Sequence, residues 1–251
     1  MRIEQSYIPV RGVGETTERS LWEQGATHWN RFEPDLLGEK TGRRVEDFIA
    51  RADPKLETRD VDFFAREFPD QAQWRLYENF REQTLFLDIE TTGLDQHRDV
   101  VTTVSLHRDG ETDTLVRGRD LTAERLQAHF QDAGLLGTFN GVQFDLPFLE
   151  TELGIDVDLP HLDLRFLCQR LGLTGGLKAI ERSIGIERDR PDISGRDAIR
   201  LWREYERGDR AALDTLVEYN RADTVNLEQL LEVVVSRLDE SVRPRQWPGE
   251  K

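Results

Sequence analysis

From residue 84 onward the chain alternates short apolar runs with longer segments of helical period. The run at 84–89 reads as a strand, as do 100–107 and 112–116, and Asp109-Gly110 between the last two is a strong hairpin signal. Three such strands in succession predict an antiparallel meander. Residues 121–132 then carry a helical pattern, 135–139 a short strand, a helix opens near Asp145, a brief strand falls at 159–163, and helices follow. The order β-β-β-α-β-α-β is that of an α/β domain, and periodicity by itself goes no further.

The first 80 residues differ. Ile8 to Gly25 holds a Gly-x-Gly turn, Gly12 and Gly14, followed by a helical pattern, within a helical region spanning 1–80. Trp74, Tyr77 and Phe80 recur at spacing three, which predicts a packing stripe. The segment 241–251, with Pro244 and Pro248, reads as a frayed tail.

Composition narrows the class. At 251 residues with 37% hydrophobic content, the chain has material for one good-sized domain and a smaller one. It has no apolar run of membrane-spanning length and no basic-then-apolar leader, so a soluble, cytoplasmic protein without a membrane partner is expected. Cys168 is the single cysteine, which excludes an internal disulfide and a cysteine-built zinc site; its apolar helical setting predicts a buried thiol.

The net charge of -15 weighs at first against a polyanionic partner. Lysine, however, occurs only at 40, 55, 178 and 251, so about nine in ten of the 34 basic residues are arginine. An acidic, arginine-rich balance of this kind resembles proteins of salt-accumulating halophiles, where molar salt shortens the Debye length to ~3 Å. Acidity then reports habitat more than partner, and arginine remains suited to gripping phosphate.

The chemistry begins at the end of the first strand. Side chains alternate along a strand, so Asp88 and Glu90 share one face while Leu87 and Ile89 take the other. Two like charges there repel unless a cation neutralises them; a solvated strand end is the plain alternative. A second acid, Asp145, stands before Leu146-Pro147 and suits a helix N-cap. A third, Asp223, falls in the stripe Leu216, Tyr219, Asp223, Leu227, Leu230, where an apolar residue belongs. A buried carboxylate there calls for a partner, and a metal is the obvious one. Tyr219 lies one turn earlier on the same face.

In this order the residues resemble the DEDD exonucleases of the RNase H-like superfamily. Asp88 and Glu90 match the first motif, Asn140 to Asp145 the second (Asn-x-x-x-Phe-Asp), and Tyr219 with Asp223 the third (Tyr-x-x-x-Asp). Tyrosine in the third motif places the chain with the DEDDy subgroup, and its wider likeness is to the YprB-type predicted exonucleases. Gly176-Leu-Lys-Ala-Ile-Glu181, His161-Leu-Asp163 and Leu201-Trp-Arg-Glu-Tyr205 carry that likeness. The resemblance implies an RNase H-like fold, a mixed sheet flanked by helices, at about 82–240. It also implies two Mg²⁺ or Mn²⁺ ions held by Asp88, Glu90, Asp145 and Asp223, with Asp145 acting largely through water and Tyr219 orienting the attacking water. The implied partner is nucleic acid, DNA or RNA, at a single-stranded 3′ end, hydrolysed in the 3′ to 5′ direction.

Further expectations attach to neighbouring residues. Thr91 and Thr92 either contact the terminal nucleotide or form the turn with Gly93. Asn140 and Phe144 either position the strand or brace the loop, and Lys178, at a helix start after Gly175-Gly176, either meets a phosphate or is solvated. Asp163 reads as a helix cap. Gly12 and Gly14 resemble a helix-hairpin-helix unit at about 8–32, whose backbone N–H groups bind a nucleic-acid phosphate; a small helical bundle without a ligand is the alternative. Two rival functions stay open: a nucleic-acid-binding or scaffold protein that has lost catalysis, and an endonuclease of the RNase H kind.

Overall fold

The structure is a computed structural model that describes residues 1–188, 193–245 and 247. The chain divides into two compact units, 82–234 and 1–81 with 235–251.

In the larger unit five strands form one mixed sheet in the order β3-β2-β1-β4-β5. They are β1 (Thr84–Thr91), β2 (Val101–Arg108), β3 (Glu111–Val116), β4 (Leu135–Thr138) and β5 (His161–Asp163). The first three form the antiparallel meander, with Asp109 and Gly110 both at positive φ in the β2–β3 turn. β4 joins β1 in parallel over Thr84–Phe86 only, and β5 continues in parallel beyond it. β1 thus runs five residues past its parallel neighbour, and that unshared stretch, 87–91, carries both acids.

Among the described residues the α-helices are α1 (Glu15–Glu23), α2 (Glu39–Glu57), α3 (Val61–Glu67), α4 (Tyr77–Phe80), α5 (Ala123–Gln131), α6 (Asp145–Leu153), α7 (Leu164–Arg170), α8 (Leu177–Ile184), α9 (Gly195–Glu206) and α10 (Arg210–Val242). The element order β-β-β-α-β-α-β is the predicted one. One sheet face gathers Leu85, Leu87, Ile89, Val104 and Leu106 with Leu126 and Phe130 of α5 and Phe148 and Leu149 of α6. Burial of these side chains stabilises the sheet by about 25 cal/mol per Å² of apolar surface removed from water. A second cluster joins Leu201 and Trp202 of α9 to Leu213, Leu216 and Tyr219 of α10. Cys168 is buried in α7, as its apolar setting predicts.

In the smaller unit the Gly12 turn, at φ +100°, leads through Gly14 into α1. Glu18 of α1 is fully buried and is paired with Arg75, Nη1 to Oε2 2.7 Å, while its Oε1 accepts from Ser6 Oγ at 2.8 Å and the Tyr7 N–H at 2.7 Å. Trp74, Tyr77 and Phe80 are buried, as a packing stripe requires. Of the segment from Ser241, Val242 is buried and the Trp247 ring meets Trp22 edge-on at 5.3 Å; residues 246 and 248–251 of that segment lie outside the described residues. Among the described residues no helix is long and apolar enough to cross a membrane.

Candidate active site

Alternation along β1 works as expected: Leu87 and Ile89 enter the core and Asp88 and Glu90 take the opposite face. Helical period does the same on α10, where Leu216, Tyr219, Asp223, Leu227 and Leu230 are all buried. The two elements meet, so that Asp88, Glu90 and Asp223 each offer an oxygen within 4.8 Å of the others.

Such crowding perturbs the acids. Burial, then the charges of Asp145, Asp223 and Glu90, holds the Asp88 carboxyl well above the ordinary range. Burial and Asp223 push Glu90 up to about 8, with Lys178 working against them. Burial raises Asp145 to about 7, and Asp223 is raised as well, although Arg188 and a hydrogen bond from Tyr219 oppose it. Mutual repulsion among hard oxygen donors fits a hard divalent cation, which would offset the cost of ionising them together.

Asp145 is not the N-cap that its local sequence also suits. It is the first residue of α6, after Phe144, and its Oδ1 accepts the Ile89 N–H of β1 at 3.2 Å. Since β4 has already ended there, the carboxylate takes the place of the missing neighbouring strand. This holds it beside Asp88, which feels its charge, but outside the trio of converging oxygens. Asp163 is the cap it was expected to be: it caps α7 through the Arg165 N–H at 3.0 Å and also accepts the Asn140 N–H at 2.8 Å.

The remaining candidates separate by what they touch. Asn140, at φ +68°, is tied by Asp163 and by the Arg165 guanidinium, so it braces the loop. The Thr92 hydroxyl accepts the Val100 N–H at 3.0 Å and faces Asp99 at 3.3 Å, closing the loop after β1. At Gly93 a Cβ would stand 2.3 Å from Asp99 Oδ2, so a larger residue there would displace the carboxylate that Thr92 faces. Thr91, Phe144 and the exposed Leu94 line a groove of about 630 Å³ that runs from Glu90 to Ser194, Arg196 and Ile199 around the start of α9. Lys178 is not a solvated surface lysine: its Nζ sits 4.7 Å from the Tyr219 ring centroid and donates to the Ile193 carbonyl.

Three residues of this centre are given no role by the motifs. Asn220 is fully buried; its Nδ2 donates to Asp88 Oδ2 at 2.7 Å, and its Oδ1 accepts from Thr103 Oγ1 of β2 at 2.8 Å. Arg188 donates to Asp223 Oδ1 at 2.7 Å, and Glu181, fully buried on α8, is its second carboxylate. Asn220 and Glu181 each had a signal, for both are polar residues on an apolar helical stripe. Asn220 is four past Leu216, and Glu181 is four past Leu177.

Residues 85–235 match the sequence profile of the RNase_H superfamily. The chain belongs to that superfamily. Its five-stranded mixed sheet with flanking helices is the RNase H-like fold expected from the motifs. No curated protein matches the chain. Among solved structures it is similar to Brucella melitensis NrnC with bound Mg²⁺, at 21% identity and TM-score 0.47 over 68% of this chain and 80% of that one. It is also similar to NrnC bound to pGG, at 21% identity and TM-score 0.46 over 66% of this chain and 78% of that one. The family B DNA polymerase of Pyrobaculum calidifontis matches at 20% identity and TM-score 0.47, over 61% of this chain and 25% of that one.

Proposed function

We propose that this RNase_H superfamily member is a nuclease, specifically a metal-dependent 3′ to 5′ exonuclease of the DEDDy type, related to the YprB-type group. The observation that carries the reading is the convergence of Asp88, Glu90 and Asp223 on one point beside Tyr219. Repelling carboxylates with raised pKa values are costly in a fold unless a function uses them. The residues suit two Mg²⁺ or Mn²⁺ ions: Asp88, Glu90 and Asp223 as direct ligands, and Asp145 by way of water. When bound, such ions activate a water and absorb charge on the attacking and leaving oxygens.

The side chains divide the remaining work. Tyr219 has its pKa driven upward by burial and by the charges of Asp223 and Glu90, so it stays protonated and donates a hydrogen bond. It orients a nucleophile and does not deprotonate one. Asn220 fixes the Asp88 carboxylate. The groove lined by Thr91, Leu94 and Phe144 offers an apolar floor for the base of a terminal nucleotide beside Glu90, which favours trimming from an end over cutting within a strand. The Gly12–Gly14 turn, by its helix-hairpin-helix-like sequence, is proposed as a separate backbone contact to nucleic-acid phosphate.

The test follows 5′-labelled single-stranded DNA and RNA with Mg²⁺ or Mn²⁺ in high salt, comparing the wild type with Asp88→Ala. A ladder shortening one nucleotide at a time, absent in the variant, is the expected result. Equal degradation by both proteins refutes the site. Binding without cleavage in either metal gives the protein to the scaffold class, and internal cuts give it to the endonucleases.

A further inference from the structure

Arg188 is an unusual resident of an acid cluster. Its side chain is 9% exposed, Nη1 is bonded to Asp223, and Nε is paired with Glu181. Among the described residues the buried Nη2 has no hydrogen-bond partner, and neither has Glu181 Oε1. A closed two-bond bridge between guanidinium and carboxylate would satisfy both atoms. The guanidinium is instead held so that one edge meets Asp223 while a charged donor is left over. Buried ion pairs add little to stability over a well-packed apolar pair, and an orphaned charged donor subtracts from it. The arrangement therefore calls for an acceptor that arrives from outside.

The charges say what kind. Among the described residues Arg188 and Lys178 are cations whose charges reach Asp223, and Lys178 also reaches Glu90, and a cation with a spare donor takes an anionic acceptor. The anionic acceptor that the nuclease reading supplies is a phosphodiester. A planar guanidinium also suits the tetrahedral face of a phosphate better than an ammonium does.

We propose that Arg188, anchored by Glu181, binds a non-bridging oxygen of the scissile phosphodiester through its Nη2 edge, with Lys178 flanking that phosphate from the face of Tyr219. This assignment rests on the nuclease reading above. Glu181 acts through Arg188 and is a positioning residue.

The experiment measures affinity for a labelled single-stranded oligonucleotide in Ca²⁺, which holds the site without supporting turnover. It also measures Mn²⁺ affinity without nucleic acid, for wild type, Arg188→Gln, Arg188→Lys and Glu181→Gln. Loss of one charge-assisted contact predicts about tenfold or greater weakening of oligonucleotide binding in Arg188→Gln. Arg188→Lys should recover part of it, and Glu181→Gln should lose an intermediate amount. Mn²⁺ affinity should be unchanged or tighter in Arg188→Gln, because Asp223 is released from a competing cation. Wild-type oligonucleotide affinity in that variant overturns the proposal, as does a loss of Mn²⁺ affinity that accounts for all of the weakening. Should Arg188→Gln fail to fold, Glu181→Gln decides in the same sense. A wild type that binds the oligonucleotide yet trims no 3′ end refutes the exonuclease reading and leaves the phosphate contact standing.

Discussion

Replacing Glu90 by glutamine should make the metal-free protein more stable in alkali while weakening its response to metal. The Glu90 carboxyl titrates at about 8 in the fold against 4.5 for an ordinary glutamate. Its folded-state pKa is raised, so its share of stability is complete below pH 4.5 and is lost as pH climbs through 8. At about 1.4 kcal/mol per tenfold, the ionised side chain costs the fold about 4 to 5 kcal/mol at pH 9. Asp88, Asp145 and Asp223 repel one another and relax only in part when Glu90 is neutralised, so the single variant should recover about 2 kcal/mol. For a protein of this size that is a rise of about 4 to 8 °C in Tm. Thermal unfolding at pH 5 and pH 9 in EDTA, at one fixed salt concentration, checks it: the variant should exceed the wild type at pH 9 and match it at pH 5. Saturating Mn²⁺ at pH 9 should then raise the wild type more than the variant. An equal Mn²⁺ shift in both proteins, or a variant less stable than wild type at pH 9 in EDTA, would refute the account of Glu90 as a strained metal ligand.

Two further outcomes follow from particular contacts. Asn220→Ala should weaken Mn²⁺ binding by about 10- to 100-fold, read by direct titration of the folded protein, because the Asp88 carboxylate loses the amide that orients it. Arg75→Ala should destabilise the smaller unit by about 3 to 5 kcal/mol in denaturant unfolding, since it strands the fully buried Glu18 carboxylate; double replacement of Glu18 and Arg75 by apolar residues should recover most of that loss.

What could be read from the sequence divides along the range of the interactions involved. Asp88 and Glu90 were legible because strand alternation is local, and Asp223 because a carboxylate in an apolar helical stripe is a local anomaly. For Asp145 the cap alternative failed for the same reason. Asp-Leu-Pro fits a cap in any context, whereas the N–H that claims its side chain belongs to a strand 56 residues earlier. Thr92 and Asn140 turned inward toward their own loops, an outcome that depends on where Asp99 and Asp163 come to lie. Arg188 gave no signal, since an arginine just past a helix is ordinary until Glu181 and Asp223 are placed around it.

The hydrogen bond between Asn220 and Asp88 joins residues 132 positions apart in the chain. During synthesis, the carboxylates of β1 leave the ribosome long before the helix that supplies Asn220 and Asp223. Until α10 has emerged and docked, Asp88 and Glu90 lack the helix side of their site. The carboxylate cluster is thus assembled only when α10 packs on β1, and no part of the chain before residue 210 can complete it.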